Sequence, residues 1–112
     1  MSLFADYIKE RENKNIIESD NGFATYSIYD NGECYVQDIF VRSDMRGSKL
    51  AASMTNQIAE IARNSDCHTL IGSADINDKN CSKNIKSMIE YGMIVYKTVG
   101  TIIFLKKDLG VK

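Results

Sequence analysis

From Glu33 to Arg42 the chain alternates in the manner of a strand, yet neither face of the alternation is polar. No other segment restricts the fold as strongly. At the two-residue period of a strand, Tyr35, Gln37, Ile39 and Val41 point one way and Val36, Asp38 and Phe40 the other. Large apolar groups in both sets predict a central strand covered on both sides. A short loop, Ser43 to Gly47, follows. From Ser48 to about Asn64 the spacing predicts an amphipathic helix with Leu50, Met54, Ile58, Ile61 and Ala62 as its apolar stripe. Cys67 to Ala74, with Thr69-Leu70-Ile71 at its centre, reads as the next strand. Strand, helix and strand of these lengths make a parallel crossover.

The flanking segments predict antiparallel pairing. Asp30-Asn31-Gly32 separates Glu33–Arg42 from Phe23–Tyr29, and Asn-Gly between two strand-like runs is a hairpin signal. Asp20-Asn21-Gly22 makes a similar turn after a short strand at Asn15–Ser19. Ser2 to Asn13 reads as a helix with Leu3, Phe4, Tyr7 and Ile8 on one face. Asn80 to Tyr91 reads as a second amphipathic helix with Ile85, Met88 and Ile89 inside, ended by Gly92 as a C′ residue. Met93–Val99 and Thr101–Lys106 form a hairpin at Gly100, and Lys107–Lys112 reads as a loose tail. The expected class is α/β (α+β), with a mixed, mostly antiparallel sheet, a central parallel pair and helices on both faces. Residues 1–112 have the length of one ordinary domain.

Charge and cysteine usage narrow the function. The formal net charge is -1, which argues against a nucleic-acid backbone or an anionic membrane as the main partner. Cys34, Cys67 and Cys81 are odd in number and show no Cys-x-x-Cys spacing, so a reducing, cytoplasmic setting is the simplest expectation. The first residues lack the pattern of a secretory signal, and no apolar run approaches a membrane span. His68 is the single histidine, and with no ligand set at zinc-like spacing the expected metal content is none.

Chemistry concentrates in Asp38 to Ala51. A strand that ends, an Arg-Gly loop and a helix that starts at once aim unpaired backbone N–H groups and a positive dipole end at one spot. Such a spot suits phosphate or pyrophosphate. Arg46 adds a fixed positive charge and Gly47 allows close backbone approach. A solvated helix N-terminus without a ligand is the other reading of the same residues.

The loop Arg46-Gly47-Ser48-Lys49-Leu50-Ala51 resembles the cofactor-binding motif of GNAT acetyltransferases, Arg-Gly-x-Gly-x-Gly/Ala after a strand ending in Val. Lys49 stands at the usual middle Gly, and Ser43 where Pro is frequent. Tyr91-Gly92-Met93 is similar to the Gly-Phe that closes the family's second signature helix, and the element order also matches from Phe23 to Lys106. The resemblance implies a sheet that splays beside the strand ending at Val41, with the pantetheine arm of acetyl-CoA in the splay. Backbone groups of Ile39, Phe40 and Val41 would pair with its amides. The pyrophosphate would sit on the amides of Arg46, Gly47, Ser48, Lys49, Leu50 and Ala51, with Asn80 near a cofactor-touching position.

The implied reaction is N-acetylation: a primary amine of a small-molecule or peptide/protein acceptor attacks the thioester directly. Asp38 and Tyr91 are the candidate catalytic residues. Asp38 also reads as a carboxylate hydrogen-bonded within the sheet, and Tyr91 is out of register with the family's acid, whose position holds Met88. Lys49 and Met88 together leave open a second reading, a GNAT-fold binding or structural module with weak or no catalysis. Nucleic-acid binding through Arg42, Arg46 and Lys49 is a third. Domains of this type often pair through their C-terminal strands, so a homodimer is among the expected assemblies.

Overall fold

Six strands form one sheet in the order β1-β2-β3-β4-β6-β5. The computed structural model describes Leu3, residues 14–45 and residues 49–110. Apart from Leu3, the expected Ser2–Asn13 helix lies outside the described residues, as do the loop residues Arg46, Gly47 and Ser48. The strands are β1 (Asn15–Ser19), β2 (Gly22–Ile28), β3 (Glu33–Val41), β4 (Thr69–Asp75), β5 (Ile94–Val99) and β6 (Ile102–Asp108). The helices are α1 (Leu50–Asn64), between β3 and β4, and α2 (Cys81–Glu90), between β4 and β5. Every pairing is antiparallel except β3 with β4. The mixed sheet with one central parallel pair is therefore the one the sequence predicts.

The core lies between this sheet and α1. Ala24, Tyr26, Cys34 and Leu70 from the strands meet Met54, Ile58, Ala59 and Ala62 of the helix. Met54, Ile58, Leu70 and Leu105 are among the largest fully buried side chains, each contributing about 1.5–3 kcal/mol through removal from water. α2 packs on the same face. Leu70 and Gly72 are two apart on β4 and share a face, and the Sδ of Met88 lies over Gly72. Both described helices thus cover one side of the sheet.

Three details depart from the sequence reading. Ile61 is 36% and Ile89 53% exposed. On α1 the buried positions are Met54, Thr55, Ile58, Ala59 and Ala62, a stripe that leaves Ile61 at its margin. On α2 Cys81 is buried, Ile85 and Met88 are half-buried and Ile89 turns outward. The expected loose tail is tied down: Lys107 and Asp108 pair with Leu70 and Thr69. Leu109 is buried, its N–H donates to the His68 carbonyl at 2.9 Å, and its own carbonyl accepts from Arg63 Nε at 2.8 Å.

The faces of β3 are the most consequential difference. Thr25 pairs with Asp38 and the next residue, Tyr26, pairs with Val36. Gln37 is therefore an extra residue on β3, a β-bulge. Gln37 accepts from the Ser27 hydroxyl and Asp38 from the Thr25 hydroxyl, so two consecutive side chains lie on the face away from the helices. Beyond the bulge the alternation is reversed. Val36 and Val41, five apart, both pack on the core cluster, and Tyr35 and Val41 do not share a face as strict alternation predicts.

Candidate active site

The parallel pairing of β3 and β4 is brief. Glu33 pairs with Thr69, Cys34 with Leu70 and Tyr35 with Ile71, and there it ends. Both strands continue: β4 runs along β6 to the pair Asp75–Ile102, while β3 runs along β2 to the pair Val41–Gly22. The bulge at Gln37 accounts for the divergence, because an extra residue bends the strand and increases its twist. The result is a V-shaped gap with its apex at Tyr35 and Ile71. Its walls are two strand edges that offer main-chain donors and acceptors.

The two sides of the apex differ in chemistry. Toward the helices, Gly72 is overlaid by Met88 and Met93; a Cβ at residue 72 would stand 2.8 Å from Met88 Sδ. This side is apolar and closely fitted. On the opposite side, the hydroxyls of Tyr35 and Ser73 lie 2.5 Å apart and bridge the strands just past their last pair. The Tyr35 ring leans on Phe104, with centroids 6.4 Å apart.

Both helices begin at the open end of the gap, since each follows the C-terminal end of a parallel strand. Lys49 is the N-cap of α1 and adopts φ 69, ψ 13, with no side-chain cap and no acidic residue in the first turn. This left-handed conformation is the one glycine adopts freely. The Gly-type backbone of the motif is therefore kept while the residue is Lys. The first N–H groups of α1 face outward with the positive end of the helix dipole. Asn80 is the N-cap of α2, likewise with no side-chain cap bond. Arg42, beside this mouth, pairs with Asp44 at 3.0 Å.

Of the predicted cofactor residues, Ile39, Phe40, Val41, Lys49, Leu50 and Ala51 are brought to the gap and its mouth, with Asn80 at the start of α2. Ile39 and Phe40 are 42% and 46% exposed, large apolar groups left uncovered on a strand inside the sheet. Phe40 stacks on Phe23, with centroids 5.6 Å apart. The candidate catalytic residues are placed differently. Asp38 Oδ2 accepts from the Thr25 hydroxyl at 3.0 Å and lies 3.7 Å from Lys14 Nζ. Tyr91 sits at the far end of α2, near the start of β4. Its hydroxyl donates to Asn56 Oδ1 at 2.6 Å and its ring lies under Lys107 Nζ. Burial pushes its pKa up, partly offset by Arg63, so the phenol stays protonated and committed to Asn56.

The apex pair itself, Tyr35 and Ser73, did not emerge from sequence patterns. Ser73 carries the available signal, a hydroxyl inside the otherwise apolar Leu70–Ala74 run. All three cysteines are buried; burial, with Cys67 nearby, pushes the Cys34 thiol up to about 12, and burial raises Cys67 as well. Among the described residues, no group of three or more His, Cys, Asp or Glu side chains could hold a metal ion. No described helix is long and apolar enough to cross a membrane.

The acetyltransferase (GNAT) family model matches residues 3–82. No curated protein sequence matches the chain. Solved structures match its fold at low identity. One is an acetyltransferase assigned to the GNAT family from Desulfovibrio desulfuricans: TM-score 0.79, 12% identity, covering 94% of this chain and 76% of that one. A second is the PaiA N-acetyltransferase of Thermoplasma acidophilum in complex with coenzyme A: TM-score 0.75, 14% identity, coverage 95% and 69%. A third is a GNAT family acetyltransferase from Elizabethkingia anophelis with acetyl-CoA bound: TM-score 0.71, 12% identity, coverage 95% and 86%. At these identities the likeness establishes the fold.

Proposed function

Because this chain belongs to the acetyltransferase (GNAT) family, we propose that it transfers an acetyl group from acetyl-CoA to a primary amine by direct attack on the thioester. The observation that carries this reading is the gap: β3 and β4 stop pairing at Tyr35 and Ile71 although both strands go on. Two strand edges held apart inside a sheet fit an extended chain of amides such as pantetheine, bound as an added strand. Main-chain groups of Ile39, Phe40 and Val41 are assigned that contact. The uncapped start of α1, at Lys49, Leu50 and Ala51, fits a pyrophosphate. The sequence adds Arg46, Gly47 and Ser48 to the same loop, and Asn80 is assigned to the coenzyme side of α2.

Holding thioester and amine together converts a bimolecular step into an effectively unimolecular one, and that supplies much of the rate. Asp38 and Tyr91 are each bound within the fold, so in this reading they hold β3 and α2 in place around the reaction. In this reading the acceptor is a small-molecule or peptide/protein amine. A catalytically weak binding module is the second reading. It is favoured by one observation, Met88 packed on Gly72 where the family's acid stands.

Thermal unfolding with and without acetyl-CoA tests the proposal. A ligand at about 100 times its Kd adds about 2.7 kcal/mol of stability. No shift at millimolar acetyl-CoA overturns the assignment. A shift with no thiol release across a panel of amines selects the binding module.

A further inference from the structure

We propose that Ser73 is the proton shuttle of the transfer and that Tyr35 is the residue that positions it. This rests on the acetyl-CoA reading above and goes beyond it by giving the apex a catalytic group. Ser73 lies on β4 two residues past Ile71, the last residue paired with β3, so its hydroxyl stands where the gap begins. On the side of the gap toward the helices, the atoms nearest to where a Cβ on Gly72 would stand belong to the thioethers of Met88 and Met93, which do not exchange protons. Tyr35 Oη and Ser73 Oγ meet at the apex, 2.5 Å apart, and Tyr96 on β5 lies near Tyr35 and Glu33, its phenol pushed up by burial and by these two neighbours. Tyr35 is braced by Phe104 and by the pairing of its backbone beside Ile71.

With Tyr35 donating to Ser73 Oγ, the serine O–H is free to turn toward the gap. The step balances without an external base. A neutral amine attacks the thioester carbonyl carbon, the C–N bond forms and the C–S bond breaks. One N–H proton passes to Ser73 Oγ as the serine's own proton passes to the departing sulfur. The products are the acetamide and the free thiol, and Ser73 is regenerated. In this arrangement Ser73 touches the reacting atoms, while Tyr35 acts through Ser73.

The test measures thiol release from acetyl-CoA with ethylamine as the probe amine, alongside thermal stabilisation by acetyl-CoA. Ser73→Ala is expected to lower kcat by about 100-fold, the low end of general acid–base contributions, while keeping the stabilisation by acetyl-CoA. Ser73→Thr, which retains the hydroxyl, should recover most of the loss. Tyr35→Phe should lower kcat by about tenfold with the acetyl-CoA KM unchanged, the signature of an interaction made in the transition state. A Ser73→Ala enzyme within about twofold of the parent in kcat overturns the proposal. So does a variant that loses turnover and acetyl-CoA stabilisation together, which would mark the pair as structural. Failure of acetyl-CoA to stabilise the parent protein would instead sink the coenzyme assignment, and this proposal with it.

Discussion

The two halves of β3 share one strand and have opposite fates. Cys34 and Tyr35 are paired on both sides, and Cys34 is fully buried. Ile39 and Phe40, beyond the bulge, keep their pairing with β2 but lie past the last β4 partner and remain exposed. The first half is held by packing and ladder hydrogen bonds. The second half is kept open by one inserted residue. Packing and an open strand edge are thus separated along a single strand, and each should respond to different substitutions.

The largest expected effect is at the zipped end. Leu70→Ala, beside Cys34 in the core, should cost about 2–5 kcal/mol through lost transfer energy and the cavity left behind. Phe40→Ala at the open end should cost only about 1 kcal/mol, the loss of its stacking on Phe23. Urea unfolding of both variants checks the contrast, and equal losses would break it. Next comes deletion of Gln37. Regular alternation would then keep Ile39 and Val41 on the helix side, so the fold should survive, but β3 would lose its bend. The expected outcome is loss of the roughly 2.7 kcal/mol of stabilisation by near-saturating acetyl-CoA. A deletion variant that still gains stability from the coenzyme would show that the bulge does not make the gap. The smallest effect is at the mouth. Lys49→Gly should raise stability by about 0.5–1 kcal/mol by relieving the left-handed backbone. A lower urea midpoint would mean that the lysine side chain contributes more than its backbone costs.

What could be read from the sequence was what residues dictate locally. Asn31-Gly32 turns the β2–β3 hairpin. Gly92, at φ 105, ends α2 as anticipated: Met93 N–H reaches the Met88 carbonyl at 3.0 Å and Gly92 N–H the Ile89 carbonyl at 2.9 Å. The bulge at Gln37 was not legible, because it exists only relative to the β2 register, and strict alternation misplaced every side chain after it. The Tyr35–Ser73 contact joins strands that no local pattern aligns. The burial of Leu109 depends on α1 and on His68 rather than on its charged neighbours. The strand ending at Val41 and the helix from Leu50 were legible because each is a contiguous pattern, whereas the left-handed backbone of Lys49 was not part of that reading.

The strand order carries a consequence for how this sheet comes into being. β6 follows every other described strand in the sequence, yet it lies inside the sheet, between β4 and β5. The β1–β2–β3 meander can close as it leaves the ribosome, because its contacts are between neighbours in sequence. β4 cannot: one of its edges is committed to a strand made only after α2 and β5. Until that strand arrives, the growing chain carries Leu70, Ile71 and Ala74 beside an open edge, the kind of surface that invites pairing with another chain. The order of synthesis thus makes β4 the strand most dependent on timely completion.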